Sequence, residues 1–118
     1  MKTFIRSIVV IFIALFTTHL STAQSINLKI VDVKVYGNCG MCKKTIEKAG
    51  NVKGISKTKW DTETAMAKIT IDSTKTSVDE VLKRIAEVGY DSDAFRAPDA
   101  VYENLHGCCQ YERPAKKI

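Results

Sequence analysis

The chain has 118 residues, with 18 Lys and Arg against 13 Asp and Glu, for a formal net charge of +5. That length has room for one domain of the usual size, about 100–150 residues, and excludes a large multidomain catalytic machine. A content of 45% hydrophobic and 26% charged residues excludes both a disordered chain and a fibrous repeat, leaving a small binding module as the leading class.

Lys2 and Arg6 form a short basic segment, Ile8 to Phe16 is continuously apolar, and the run closes in Ser21, Thr22 and Ala23. A basic start, an apolar core of about 7–15 residues and a small-residue end read as a secretory signal. Cleavage is expected after Ala23, leaving Gln24 first. A membrane span needs about 20 predominantly apolar residues, and Thr17, Thr18 and His19 interrupt this one. No stable membrane association is therefore expected after cleavage, and the expected location is the periplasm or another exported compartment. Processing leaves 16 basic residues against 13 acidic ones, a charge of +3. So small an excess, without a basic stripe, argues against a nucleic-acid partner.

Leu28 to Tyr36 alternates, with Val31, Val33 and Val35 on one face and Asp32 and Lys34 on the other. This is the period of a half-buried strand, and Gly37-Asn38 ends it with a turn signal. Cys42, Ile46 and Ala49 recur at helical spacing, with Gly50 as the stop. Val52 to Trp60 reads as a second strand loosened at its start by Gly54. Asp61 to Thr64 makes a hairpin connection, and Ala65 to Ile71 is a third strand with Ala67, Ile69 and Ile71 on one side. Ser77-Val78-Asp79-Glu80 is a capping box. The helix it opens carries Val78, Val81, Leu82, Ile85 and Val88 inward and stops at Gly89.

A fourth strand is expected over Tyr90 to Phe95. The order β-α-β-β-α-β is that of a ferredoxin-like α+β sandwich, a four-stranded antiparallel sheet with two helices on one face. After Pro98, Asp99 to Leu105 has the makings of a further helical turn or two, whereas His106 to Ile118 shows no apolar period. The expected division is a signal over 1–23, a folded domain over 24–96 and a cysteine-containing tail over 97–118.

All four cysteines lie beyond the signal, as the pairs Cys39/Cys42 and Cys108/Cys109. An even count in an oxidising compartment is compatible with disulfides. The placement of the first pair points elsewhere. Cys39 and Cys42 stand where the first strand hands over to the first helix, and free N–H groups at a helix start favour thiolates. Two thiolates three positions apart can converge on one soft ion, and thiolates select Cu(I), Zn(II) and other thiophilic metals. A lone CxxC is also used by redox enzymes and zinc half-sites; its place after strand one of this element order is the more specific signal.

On these residues the chain resembles the heavy-metal-associated domain family, over about residues 28–95. The carriers are Val35-Tyr36-Gly37-Asn38-Cys39-Gly40-Met41-Cys42, the strand-hairpin-strand middle, and Val81 with Ile85-Ala86-Glu87-Val88-Gly89-Tyr90-Asp91. The family includes copper chaperones, the N-terminal domains of copper-transporting ATPases and periplasmic mercury-binding proteins. The resemblance implies that Cys39 and Cys42 are metal ligands and that Tyr90 packs near the metal loop. It also implies a non-enzymatic carrier, expected to be monomeric, that takes Cu(I) first, then Hg(II), then Zn(II). A membrane metal transporter or efflux component would be its partner. One departure stands out: the family motif has methionine two residues before the first cysteine, where this chain has Gly37. Met41, between the cysteines, is expected to be exposed rather than to replace that plug.

The competing functions are a thiol–disulfide oxidoreductase using the same cysteines and passive sequestration of metal. Thioredoxin-like proteins usually carry Trp before the CxxC, where this chain has Asn38. Trp60 and Met66 read as hairpin packing, and Lys43, Lys44 and Lys48 as a solvated face. His106-Gly107-Cys108-Cys109 lies outside the family fold. Adjacent cysteines have Cα atoms about 3.8 Å apart, below the roughly 4.4–6.8 Å of an unstrained disulfide. The remaining options for Cys108 and Cys109 are free thiols, cross-bridges to Cys39 and Cys42, or metal ligands. As ligands, with His106 as a further donor, they would sit on a flexible arm expected to engage only when metal is present.

Overall fold

The structure is a computed structural model that describes residues 26–116; the expected signal segment lies outside the described residues. Strand β1 spans Leu28–Lys34, helix α1 Gly40–Gly50, β2 Ser56–Trp60, β3 Met66–Asp72, α2 Val78–Glu87 and α3 Asp99–Glu103, with a final 3₁₀ turn at Gly107–Cys109. No helix among the described residues is long and apolar enough to cross a membrane.

The sheet runs in the order β1-β3-β2, antiparallel throughout. Val31 faces Ile69 and Val33 faces Ala67 across one ladder, while Thr58 faces Ile69 and Trp60 faces Ala67 across the other. Because side chains alternate along a strand, this register gathers the inward residues of all three strands on one face. Helices α1 and α2 cover that face with Ile46, Val81, Leu82 and Ile85, all buried. The first turn of α2 is capped as its sequence implies, the Glu80 N–H donating to Ser77 Oγ at 3.2 Å. Gly89 ends that helix at φ +110°, a conformation that favours glycine.

Helix α1 lies unusually close to the sheet. A Cβ on Gly50 would overlap the Thr58 side chain, so only glycine permits this approach. Arg84 of α2 ties the same end down, donating to the Ala49 carbonyl at 3.2 Å and to Ser56 Oγ at 3.0 Å.

The expected fourth strand is reduced to one bridge, between Ser92 and Val35, so the described sheet has three strands. The bridge is carried by the Tyr36 N–H, which donates to the Asp91 carbonyl at 2.8 Å, but the Asp91 N–H is taken by the Tyr111 hydroxyl at 2.8 Å. Beyond it, Ser92 N–H donates to the Phe95 carbonyl and Phe95 N–H to Ser92 Oγ, folding the segment into a turn. Tyr111 itself belongs to the core, although the tail has no apolar period to announce it.

Candidate metal centre

The loop between β1 and α1 is shaped from beneath. Val35 is fully buried and its carbonyl accepts the Trp60 indole N–H at 2.9 Å. The indole then presses on Gly37, where a Cβ would stand 3.1 Å from two ring carbons and 3.3 Å from Cys42 Cβ. Trp60, from the end of β2, thus fills the space under the loop at the position where the family motif has methionine. Met41 points outward and is 48% exposed.

Cys39 is the N-cap residue of α1 and Cys42 lies in its first turn, fully buried. Their Sγ atoms are 3.3 Å apart, and all four cysteines are free. The Cys42 thiol donates to Asn38 Oδ1 at 3.1 Å. The Cys42 backbone N–H, joined by that of Met41 and by the Cys42 and Cys109 thiols, outweighs burial and lowers the Cys39 pKa to about 7. Free N–H groups at the start of a helix account for this. Lys43, expected on a solvated face, is instead engaged: its Nζ donates to Glu47 at 2.7 Å and to the Trp60 carbonyl at 2.6 Å. Burial pushes the Glu47 carboxyl up, but Lys43 and the Trp60 N–H together hold it below its usual range.

The tail lies on this loop. Cys109 is buried with its Sγ 3.6 Å from that of Cys39, while Cys108 is exposed, 3.8 Å from Cys109 Sγ and 3.6 Å from Met41 Sδ. The sulfurs of Cys39, Cys108 and Cys109 all lie within 4.8 Å of one another. His106 is exposed; its carbonyl accepts the Cys109 N–H at 2.7 Å, and its imidazole is not in this group. Burial, reinforced by the Cys42 and Cys39 thiols, pushes the Cys109 thiol up to about 12. Tyr90 is almost wholly buried with its hydroxyl toward Cys42 and Cys109; burial first, then those thiols, raise its pKa.

The expectation of a flexible arm held only through metal is corrected by the contacts around Tyr111 and Arg113. The Tyr111 ring stacks on Tyr90 at 5.7 Å, and its hydroxyl donates to the Gly89 carbonyl at 2.8 Å. Tyr102 meets it edge-on and donates to its carbonyl. Arg113 binds both oxygens of Asp91 at 2.8 Å, and the Ala97 carbonyl at 2.7 Å. Its guanidinium also sits 4.6 Å from the Tyr102 ring centroid. These contacts involve no sulfur, so the arm is docked by protein groups alone. Sequence reasoning missed Tyr102, Tyr111 and Arg113 and the pairing of Asp91 with Arg113, partners that are far apart in the chain. The one available signal was an aromatic and an arginine in a tail otherwise lacking apolar character.

No protein-family model matches the sequence. Over 55 residues the chain is 42% identical to the mercuric transport protein periplasmic component of Pseudomonas aeruginosa, a match covering 46% of this chain and 60% of that protein. The chain thus spans less than two thirds of that relative. Among solved structures it is similar to oxidized MerP from Ralstonia metallidurans, 38% identical, with a TM-score of 0.51 over 57% of this chain and 96% of that one. It is also similar to the CopZ metallochaperone, 27% identical, with a TM-score of 0.50 over 54% of this chain and 98% of that one.

Proposed function

This chain belongs to the heavy-metal-associated family of small metal chaperones, and we propose that it is an exported carrier of one thiophilic ion held by Cys39 and Cys42. The observation that carries this reading is the pair of sulfurs 3.3 Å apart at the start of α1, with the Cys39 thiol lowered to about 7. A thiol near half ionised at neutral pH gives up its proton to a metal readily. Sulfur donors suit Cu(I) and Hg(II); Zn(II) is the weaker assignment. The similarity to both a mercuric transport component and a metallochaperone supports a metal-carrying role without singling out one ion of this class.

Delivery would proceed by ligand exchange. A thiolate of a membrane transporter or efflux component bonds to the ion while Cys39 and Cys42 still hold it. One of the two then leaves and takes up a proton. No redox change is needed, and the chain acts as a carrier rather than an enzyme. Export is supported by the basic and apolar segment through Ala23 and by the periplasmic relative.

Native mass spectrometry of the reduced protein with Cu(I) and Hg(II) in competition tests the assignment. One ion per chain is expected, with tight binding abolished when Cys39 and Cys42 become Ser in a chain also lacking Cys108 and Cys109. Unchanged affinity in that variant overturns it. Rapid insulin reduction by the metal-free protein would favour the oxidoreductase instead. N-terminal sequencing of the exported form should begin at Gln24.

A further inference from the structure

The CxxC sulfurs are two of five that form a continuous path. From inside to outside it runs Cys42, Cys39, Cys109, Cys108 and the Met41 thioether, with successive separations of 3.3, 3.6, 3.8 and 3.6 Å. Cys42 is fully buried at one end, while Cys108 and Met41 are exposed at the other. A neighbour within 4 Å at every step is the spacing along which an ion can be passed without ever being free.

The spacing also speaks to coordination number. With metal–sulfur bonds of about 2.3 Å, a linear two-sulfur site sets its sulfurs about 4.6 Å apart, a trigonal one about 4.0 Å and a tetrahedral one about 3.8 Å. Cys39 lies 3.3 Å from Cys42 and 3.6 Å from Cys109, shorter than all three values. An ion must therefore spread these sulfurs, and a site of three or four sulfurs asks for less spreading than a linear pair. The third sulfur needs no recruitment. Arg113 on Asp91, and Tyr111 between Gly89 and Asp91, fix the backbone that presents Cys109. The entropy of ordering that thiol is met by contacts that have nothing to do with metal.

We propose that Cys109 is the third thiolate of the site and that Cys108, beside Met41, is the exposed thiol through which the ion enters and leaves. The C-terminal arm is then an exchange partner built into the chain. This rests on the assignment of Cys39 and Cys42 as the inner ligands. In uptake, Cys108 releases its proton to water and its sulfur bonds to an ion held by a donor's thiolates. One donor thiolate departs and is protonated. Cys109 displaces the second donor thiolate and Cys39 displaces Cys108, each departing thiolate taking up the proton of the arriving thiol. Cys42 then adds as the third sulfur and loses its proton to water, with no change in oxidation state. Release runs the same steps backwards. The soft, neutral Met41 sulfur suits the outer end because it assists without adding charge.

The experiment uses the reduced, purified protein and Hg(II) as the probe, with X-ray absorption for sulfur count and stopped-flow transfer from a dithiol complex for rate. The unmodified chain should show three sulfurs at one ion per chain. Cys109→Ser should drop to two with the ion still bound, and Cys108→Ser should keep three but load severalfold more slowly. Should Cys109→Ser fold poorly, three sulfurs in both the unmodified chain and Cys108→Ser identify Cys109 by elimination. Two sulfurs in the unmodified chain overturn the third-ligand role, and an unchanged loading rate in Cys108→Ser overturns the exchange role. Wild-type Hg(II) binding by Cys39→Ser/Cys42→Ser would overturn the inner-ligand assignment instead, a separate and distinguishable failure.

Discussion

Arg113 closes on Asp91 through two hydrogen bonds of 2.8 Å, one to each carboxylate oxygen, with the aspartate side chain 1% and the arginine 11% exposed. A buried pair of this kind contributes little net stability against an apolar substitute, but losing one partner strands the other charge at about 3–5 kcal/mol. Asp91→Asn and Arg113→Ala should each lose stability of that order in urea unfolding. A loss under about 1 kcal/mol, the range of an exposed pair, would show that the clasp does not hold the tail.

The same aspartate sets an acid limit. Burial pushes its carboxyl up, but Arg113 and the Ala97 N–H outweigh burial and hold it below its ordinary value. A depressed carboxylate stabilises the fold fully above its unfolded pKa of about 3.9 and loses that contribution as pH falls through the folded value. Unfolding free energy should therefore fall below about pH 4. Asp91→Asn, already weakened, should show a shallower acid limb; equal slopes would exclude Asp91 as the cause.

Cys39 and Cys109 should titrate in opposite directions despite lying 3.6 Å apart. Cys39, lowered from 9.0 to about 7, adds stability that is complete above the unfolded value and lost as pH falls through 7. Cys109, raised to about 12, adds stability present below the unfolded value and lost as pH rises through 12. Ultraviolet titration of the metal-free protein should show one thiolate forming near neutrality, absent in Cys39→Ser. Persistence of that thiolate in Cys39→Ser would place the acidic thiol elsewhere.

Restoring the motif methionine should harm this chain. A Cβ at Gly37 already meets the Trp60 ring at 3.1 Å, and overpacking of this sort costs about 1–3 kcal/mol. Trp60→Ala should itself cost about 3–5 kcal/mol by leaving a cavity. Gly37→Met should then stabilise the Trp60→Ala background, and a double-mutant cycle in urea reads the coupling. Additive losses would mean that the two side chains do not compete for one space.

Much of the fold could be read locally. Ala67, Ile69 and Ile71 announce β3 by their period, and Ser77 with Glu80 announces the start of α2, because both signals lie within a few residues. The CxxC at a strand-to-helix junction was legible for the same reason. The expected strand over Tyr90–Phe95 keeps only its bridge to Val35, because the Asp91 N–H is taken by the Tyr111 hydroxyl and Ser92 turns back on Phe95. The partner in Tyr111 lies outside any local window. The docking of Cys109 was hidden likewise, since Arg113 and Asp91 are 22 positions apart. The role of Trp60 beneath Gly37 follows from β2 register, which brings a residue of the hairpin under a loop that precedes it.

The close seat of α1 on β2 divides the labour of motion at the sulfurs. Gly50 sets the last turn against Thr58, and Lys43 fastens the first turn to the Trp60 carbonyl. A helix held at both ends against one strand resists sliding and tilting, which makes Cys42 the most firmly seated of the sulfurs. The opposing cysteines ride on a segment attached through side chains at Gly89, Asp91 and Ala97, contacts that can part without disturbing any ladder. Widening of the gap between Cys39 and Cys109 is therefore expected to act on the C-terminal side, which makes the lifetime of an ion shared with Cys109 a property of residues outside the βαββα frame.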